Sequence, residues 1–134
     1  MLNIRVFGRP APQGSKSKGG AGQMLEASRF LAPWRAAVRL AAMRARSDAG
    51  HETLRGPCGV AMIFWMARPK DPKYENYPAG KPDSDKLARA VDDALTMAGV
   101  WVDDALAVEV HVYKRWEDGD NFPGATITVW ELPA

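Results

Sequence analysis

Cysteine is almost missing from this chain of 134 residues, which has one, Cys58. An internal disulfide and a cysteine-built metal centre are excluded, and Cys58, set among Gly59, Val60, Ala61 and Met62, reads as an inert core side chain. Histidine is nearly as scarce. His51 and His111 stand too isolated for a histidine-ligated metal site, and there is no local Ser-His-Asp signature or Walker motif. Long apolar runs are absent too. The opening Met1-Leu2-Asn3-Ile4-Arg5 meets a charge, then Gly8-Arg9-Pro10, too early for a signal peptide or anchor, and nothing approaches a membrane span. A cytoplasmic protein with no membrane partner is expected.

What is present is close to an average globular composition, with 46% hydrophobic and 25% charged residues. One domain spanning residues 1–134 is expected. A chain of this size buries roughly two thirds of its unfolded surface, so a metal would serve function rather than folding. The net charge of +2 hides a division. Met1 to Gly50 carries nine Lys and Arg against two acids, whereas Asp83 to Asp120 carries ten acids against four bases. A basic arm beside an acidic cluster suits a polyanion held at one surface while metal ions act on it at the other. Two halves that attract each other within the fold would give the same division.

Leu2, Ile4 and Val6 alternate with Asn3, Arg5 and Phe7 up to Gly8, a half-buried strand. Arg9 to Gly20 is too rich in Gly, Pro and Ser for a regular element, and its Lys16 and Lys18 stand where backbone amides could also approach phosphate. From Arg29 to Asp48, Phe30, Trp34, Ala37, Val38, Ala41, Ala42 and Ala45 recur at helical spacing, predicting an amphipathic helix started near Pro33 and stopped by Gly50. Gly56 to Met66 predicts a central strand, Ala67 to Pro82 a long loop, and Ser84 to Met97 a second helix closed by Gly99. Val100 to Val102 reads as a short strand. Leu106 to Trp116 and Thr126 to Trp130 alternate and are expected to form a hairpin through Asp118-Gly119-Asp120. Trp34, Trp65 and Trp130 are expected in the core, while Tyr74, Tyr77 and Trp101 are candidates for stacking on bases.

The segment Lys81 to Leu95 carries the most information. Pro82 biases Lys81 towards an extended backbone, and if Asp83 to Asp85 also stay extended, both carboxylates point one way. Two acids so placed repel unless a divalent cation neutralises them, and their hard oxygens suit Mg²⁺ or Mn²⁺. Asp83, Ser84 or Asp85 could instead cap the helix, but a cap needs one residue. A second constellation, Trp101-Val102-Asp103-Asp104, follows Gly99. Adjacent acids there commonly form turns, yet a helix of about four turns with a tight return could bring Asp103 or Asp104 back towards Asp83 and Asp85. A three-carboxylate site would activate water against phosphorus and offset charge on the leaving oxygen. Lys86, Arg89 and Asp93 share a helix flank, so a cation could hold the scissile phosphate, or Arg89 and Asp93 could form a surface ion pair.

With Pro82-Asp83-Ser84-Asp85-Lys86-Leu87-Ala88-Arg89-Ala90, Asp93-Ala94-Leu95 and then Trp101-Val102-Asp103-Asp104, the chain resembles the RusA family of Holliday-junction resolvases, nucleases often carried by phages. The resemblance implies an α/β (α+β) fold with a mixed four-stranded sheet and two main helices packed on it, a homodimer, and Mg²⁺-dependent symmetric nicking of four-way DNA junctions. It implies Asp83, Asp85 and Asp104 as metal ligands, with Asp103 as a neighbour. The family's catalytic lysine falls on Arg89, which keeps the charge but cannot donate a proton near neutral pH, so an acid role would pass to Lys86 or another base. Arg5, Arg9, Lys16, Lys18, Arg35, Arg39, Lys81 and Lys114 are expected to contact the DNA backbone. A two-fold dimer would supply the two nicks that a junction requires. Other readings are a nuclease of flaps or other branched DNA, a junction binder that no longer cuts, and a protein-interaction module, which leaves the divided charge unexplained.

Overall fold

The computed structural model describes residues 1–14 and 21–134, and the side chains of all of these except residues 21–28. In chain order the elements are β1 (Leu2–Phe7), α1 (Ala21–Ala49), β2 (Cys58–Met66), α2 (Ser84–Met97), a 3₁₀ turn (Asp104–Leu106), β3 (Ala107–Trp116) and β4 (Gly124–Glu131). The strands form one mixed sheet in the order β1-β4-β2-β3, with β4 antiparallel to both neighbours and β2 parallel to β3.

Both helices lie on one face. Leu2, Ile4 and Val6 of β1, Val60, Met62 and Phe64 of β2, and Ala125, Ile127 and Val129 of β4 are buried on that side. They meet Trp34, Val38 and Ala42 from α1 and Leu87, Ala90, Val91, Ala94 and Leu95 from α2. These are the apolar stripes that the periodicity predicts, and their burial is the main favourable term in the fold. Among the described residues the opposite face carries no helix, and there Trp65 and Trp130 are half-buried rather than in the core. Trp130 lies across Gly59, where a side chain would collide with the indole, and Trp65 donates from Nε1 to Thr126 Oγ1 at 3.0 Å.

Three further expectations are corrected. Pro33 lies inside α1 instead of starting it. Proline's fixed φ is helical, so it forfeits the bond from its own nitrogen without dictating an end, and the helix extends about three turns before it. The second concerns the last two strands, which do not form a hairpin: β2 stands between them and pairs with both. The predicted turn does form, with Asp118 accepting from the amides of Asp120 and Asn121, both at 2.8 Å. It carries the chain past the end of β2, where Glu117 N donates to Met66 O at 2.8 Å. Alternation fixes which face of a strand is buried but not its partner, and the continuous apolar run of β2 is buried most fully in an interior position. Val100 to Val102 contributes a single bridge, Leu54 with Trp101, rather than a strand.

Candidate active site on the second helix

Residue Asp83 is the N-cap of α2, with an extended backbone (φ −69°, ψ 142°), yet its side chain makes no capping hydrogen bond. Its carboxylate instead pairs with Lys86 Nζ at 3.5 Å. Because the helix begins at Ser84, Asp85 is already helical, and the expected alignment of the two acids along an extended strand does not occur. Both side chains remain exposed at the positive end of the helix dipole. The preceding loop is held from the sheet: Lys114 Nζ donates to Gly80 O at 2.7 Å and to Pro82 O at 2.9 Å. Lys114, expected on DNA, has two of its donors engaged in placing Asp83.

At the other end, α2 stops in a Schellman turn, with Val100 N bonded to Leu95 O at 3.0 Å and Gly99 N to Thr96 O at 3.1 Å. Gly99 has φ +78°, and an added Cβ would stand 2.9 Å from Arg46 Nη1, so glycine answers both the turn and the close approach. Arg46 ties the end of α1 to this turn, donating to Ala98 O at 3.0 Å and Thr53 Oγ1 at 3.1 Å. The chain then doubles back. Trp101 is buried and donates from Nε1 to Thr96 Oγ1 at 2.7 Å, and Thr96 donates to Asp92 O at 3.0 Å. Trp101 is thus an anchor for the returning segment, not a platform for bases; Tyr74 and Tyr77 are exposed.

The return sets Asp103 and Asp104 against the flank of α2. Asp103 caps the 3₁₀ turn, accepting from Ala105 N at 2.8 Å. Asp104 is pushed above the ordinary carboxylate range by partial burial, by its hydrogen bond with Asp103, and by the charges of Asp103 and Asp93. Asp92 is pushed up to about 7, first by burial and then by the charges of Asp104 and Asp93. Its Oδ1 is buried without a hydrogen-bond partner. Asp93 forms no ion pair with Arg89, one of the two alternatives for that flank, but accepts from Gln13 Nε2 at 2.5 Å. Gln13 N also donates to Lys86 O at 3.0 Å, so the root of the basic loop is laid along the acidic helix. Lys16 and Lys18 of that loop lie outside the described residues.

An open cleft of about 350 Å³ is lined by Arg35, Asp93, Thr96, Met97, Val102, Asp103 and Asp104. Arg35 brings a cation to these acids, its Nη2 lying 3.5 Å from Met97 Sδ. A larger cleft of about 550 Å³ between β1 and α1 is lined by Arg44 and Asp48 among others and holds none of these four aspartates. Among the described residues, no three acidic, histidine or cysteine side chains converge as a ready cage for one ion. Asp85 stands about 10 Å along the helix axis from Asp92, at 1.5 Å per residue.

Compared with known proteins, the chain matches the family described as Endodeoxyribonuclease RusA over residues 7–130. It belongs to the RusA family. No curated protein matches the chain. The RusA match covers β2 through α2 and the return to Asp104, and with it every expected acid. The chain is therefore an endodeoxyribonuclease by family. Within this RusA domain, the sequence offers Asp93 only as a flank neighbour of Lys86 and Arg89, and Asp92, Gln13 and the anchoring role of Trp101 are not among the site features it points to. Asp92 and Asp93 carried a signal, as adjacent acids on the helix between the two motifs, whereas Gln13 carried none. Among the expected backbone contacts, Lys81 and Arg39 are exposed and Arg9 lies over the Phe30 ring at 3.7 Å, while Arg89, expected at the scissile phosphate, is exposed as well. Arg5 is committed to the fold, donating to the carbonyls of Val6, Phe122 and Ala125.

Proposed function

We propose that the chain is a divalent-metal-dependent, structure-selective endonuclease that resolves four-way DNA junctions by paired symmetric nicks, as a cytoplasmic homodimer in recombination, repair or phage DNA processing. The observation that carries this reading is the position of Asp104, folded back onto the flank of the helix whose head presents Asp83 and Asp85 free of capping duty. The donor set suits Mg²⁺ or Mn²⁺: carboxylate oxygens exposed to water, with Asp104 raised in proton affinity by partial burial and its acidic neighbours. Mg²⁺ takes few protein carboxylates and keeps several waters, so one or two of these carboxylates suffice to hold it while water completes its shell.

Asp83, Asp85 and Asp104 would hold the metal, with Asp103 fixing the turn that presents Asp104. When bound, the ion supplies acidification of water and neutralisation of charge on the phosphate. Lys86 and Arg89 hold the scissile phosphate from the helix flank, and Lys16, Lys18, Arg9, Arg35, Arg39 and Lys81 contact the backbone on either side. Water attacks phosphorus, the new P–O bond forms as the bond to the 3′ oxygen breaks, and a proton passes to that oxygen. A 5′ phosphate and a 3′ hydroxyl remain, with no covalent intermediate. Cleavage of a labelled synthetic four-way junction, beside linear duplex and flap DNA, with Mg²⁺ or with EDTA, tests the reading. Paired nicks in the junction with metal alone are expected. Preferential cutting of flaps would move the substrate, and binding without cutting under any metal would overturn catalysis.

A further inference from the structure

The outer strand β1 pairs with β4 alone and forms one edge of the sheet. Val6 O lies against Gly124, and Gly8 N donates to Pro123 O, so the backbone groups of the even-numbered residues turn to β4. By the alternation of an antiparallel ladder, Asn3, Arg5 and Phe7 turn their N–H and C=O groups outward. Those three residues line one side of the cleft of about 550 Å³, and the last turns of α1 wall the other side with Ala41, Arg44, Ala45 and Asp48. Spacings of three and four put the four helix residues on one face, and the two alanines leave the space in front of it. Among the described residues, Arg44 and Asp48 form no ion pair, so the guanidinium is left to an incoming anion. Apolar surface flanks the cleft, with Phe7 61% exposed and Leu40, one turn before Arg44, 51% exposed. At the opposite edge, Val108 and Val110 of β3 are exposed, and among the described residues no helix walls a groove beside them.

We propose that the cleft between β1 and α1 is a docking groove for an extended acidic peptide of a partner protein, which adds a fifth strand to the sheet at β1. A row of outward backbone donors and acceptors is matched in register by another extended backbone, and a strand added there also fills the groove that runs beside it. The cleft is open to solvent, which suits a chain laid along it rather than an enclosed small molecule. Charge selects the partner. Arg5 and Arg44 outweigh Asp48 in the lining, and the first fifty residues carry nine Lys and Arg against two acids. Duplex DNA would meet the same charge, but it has no row of amides and carbonyls to pair with Asn3, Arg5 and Phe7. None of the acids proposed to hold the metal lines this cleft, so a docked peptide leaves them free and tethers the enzyme to a second protein.

The test is fluorescence anisotropy of a labelled synthetic peptide, Thr-Val-Thr-Val-Asp-Asp, titrated with the full chain. Saturable binding is expected. The peptide is also expected to slow amide hydrogen exchange at Asn3, Arg5 and Phe7, with little change at Leu2, Ile4 and Val6, which already face β4. Arg44→Glu, at an exposed helix position, is expected to weaken binding at least ~10-fold with an unchanged far-UV spectrum. If that variant does not fold, the peptide with lysines in place of its aspartates, titrated with wild type, is expected to show the same loss. No saturable binding, binding without protection of the three amides, or equal affinity for the lysine peptide would overturn the proposal. So would displacement of the peptide by linear duplex DNA, which would assign the cleft to DNA. A peptide that splits a dimer in light scattering would assign the edge to a second copy and overturn it as well.

Discussion

The two ends of α2 hold acids in contrasting surroundings. At its head Asp83 and Asp85 are exposed, with Asp83 meeting Lys86 across one turn. On its far flank Asp92, Asp93, Asp103 and Asp104 crowd one another, and burial and mutual charge raise the proton affinity of Asp92 and Asp104. The same residue type is therefore a solvated carboxylate at one end and part of a crowded charge cluster at the other. The contrast shows that the second group is held together by the fold against its own repulsion, by the Schellman turn, the Trp101 anchor and Gln13. Such a cluster gains most from a cation.

The comparison breaks most sharply if acids are neutralised one at a time. Asp85→Asn and Asp104→Asn are each expected to reduce junction cleavage at least ~100-fold, on the order of the loss when a group stabilising the transition state is removed. Junction binding by Asp85→Asn should be unchanged or improved, because a repulsive charge is gone. The melting temperature separates the two ends, since Asp104→Asn should raise it at pH 8 while Asp85→Asn leaves it nearly unchanged. Loss of folding in Asp85→Asn would assign that carboxylate to structure.

Holding the return in place is the next largest effect. Gly99→Ala forces a side chain into φ +78° against Arg46 and should cost about 1–2 kcal/mol of stability, measured by urea denaturation. Trp101→Phe removes the bond to Thr96 and should cost about 1 kcal/mol, with a several-fold drop in cleavage as Asp104 loses its support. Cleavage unaffected by either change would mean that the return does not need to be fixed.

The smallest effect is also the most specific. Asp92 has an ordinary value of 3.8 and a folded value of about 7, so in this window the folded protein keeps a proton that the unfolded chain releases. The stability associated with that proton is fully present below about pH 4 and is lost as the pH rises through about 7. Asp92→Asn should therefore melt above wild type at pH 8, with the gap closing towards pH 4. Mg²⁺ should raise the wild-type melting temperature at pH 8 more than at pH 5, where protons compete with it. An equal gap at both pH values would remove Asp92 from the cluster.

Much of this was legible in the residues. The limits of α2 follow from Pro82, Asp83 and Gly99, and the apolar stripes of α1 and α2 follow from the spacing of Trp34, Val38 and Ala42 and of Leu87, Val91 and Leu95. The two acidic motifs were legible as a pair because each is local. The part played by Asp92, Gln13 and Lys114 was not, because each acts on a residue from another element: Gln13 on Asp93, and Lys114 on Gly80 and Pro82.

The sequence by itself determined the order of the main elements, the buried faces of β1 and β4, the family and the acids proposed to carry the chemistry, since these depend on local conformation and side-chain period. Tertiary structure alone decided that β2 separates β3 from β4, that the helices share one face and leave β3 open, and that Asp104 meets Asp92 and Asp93 on the flank of α2. Those outcomes depend on which surfaces bury one another most completely. Neighbouring residues in the chain do not encode that choice.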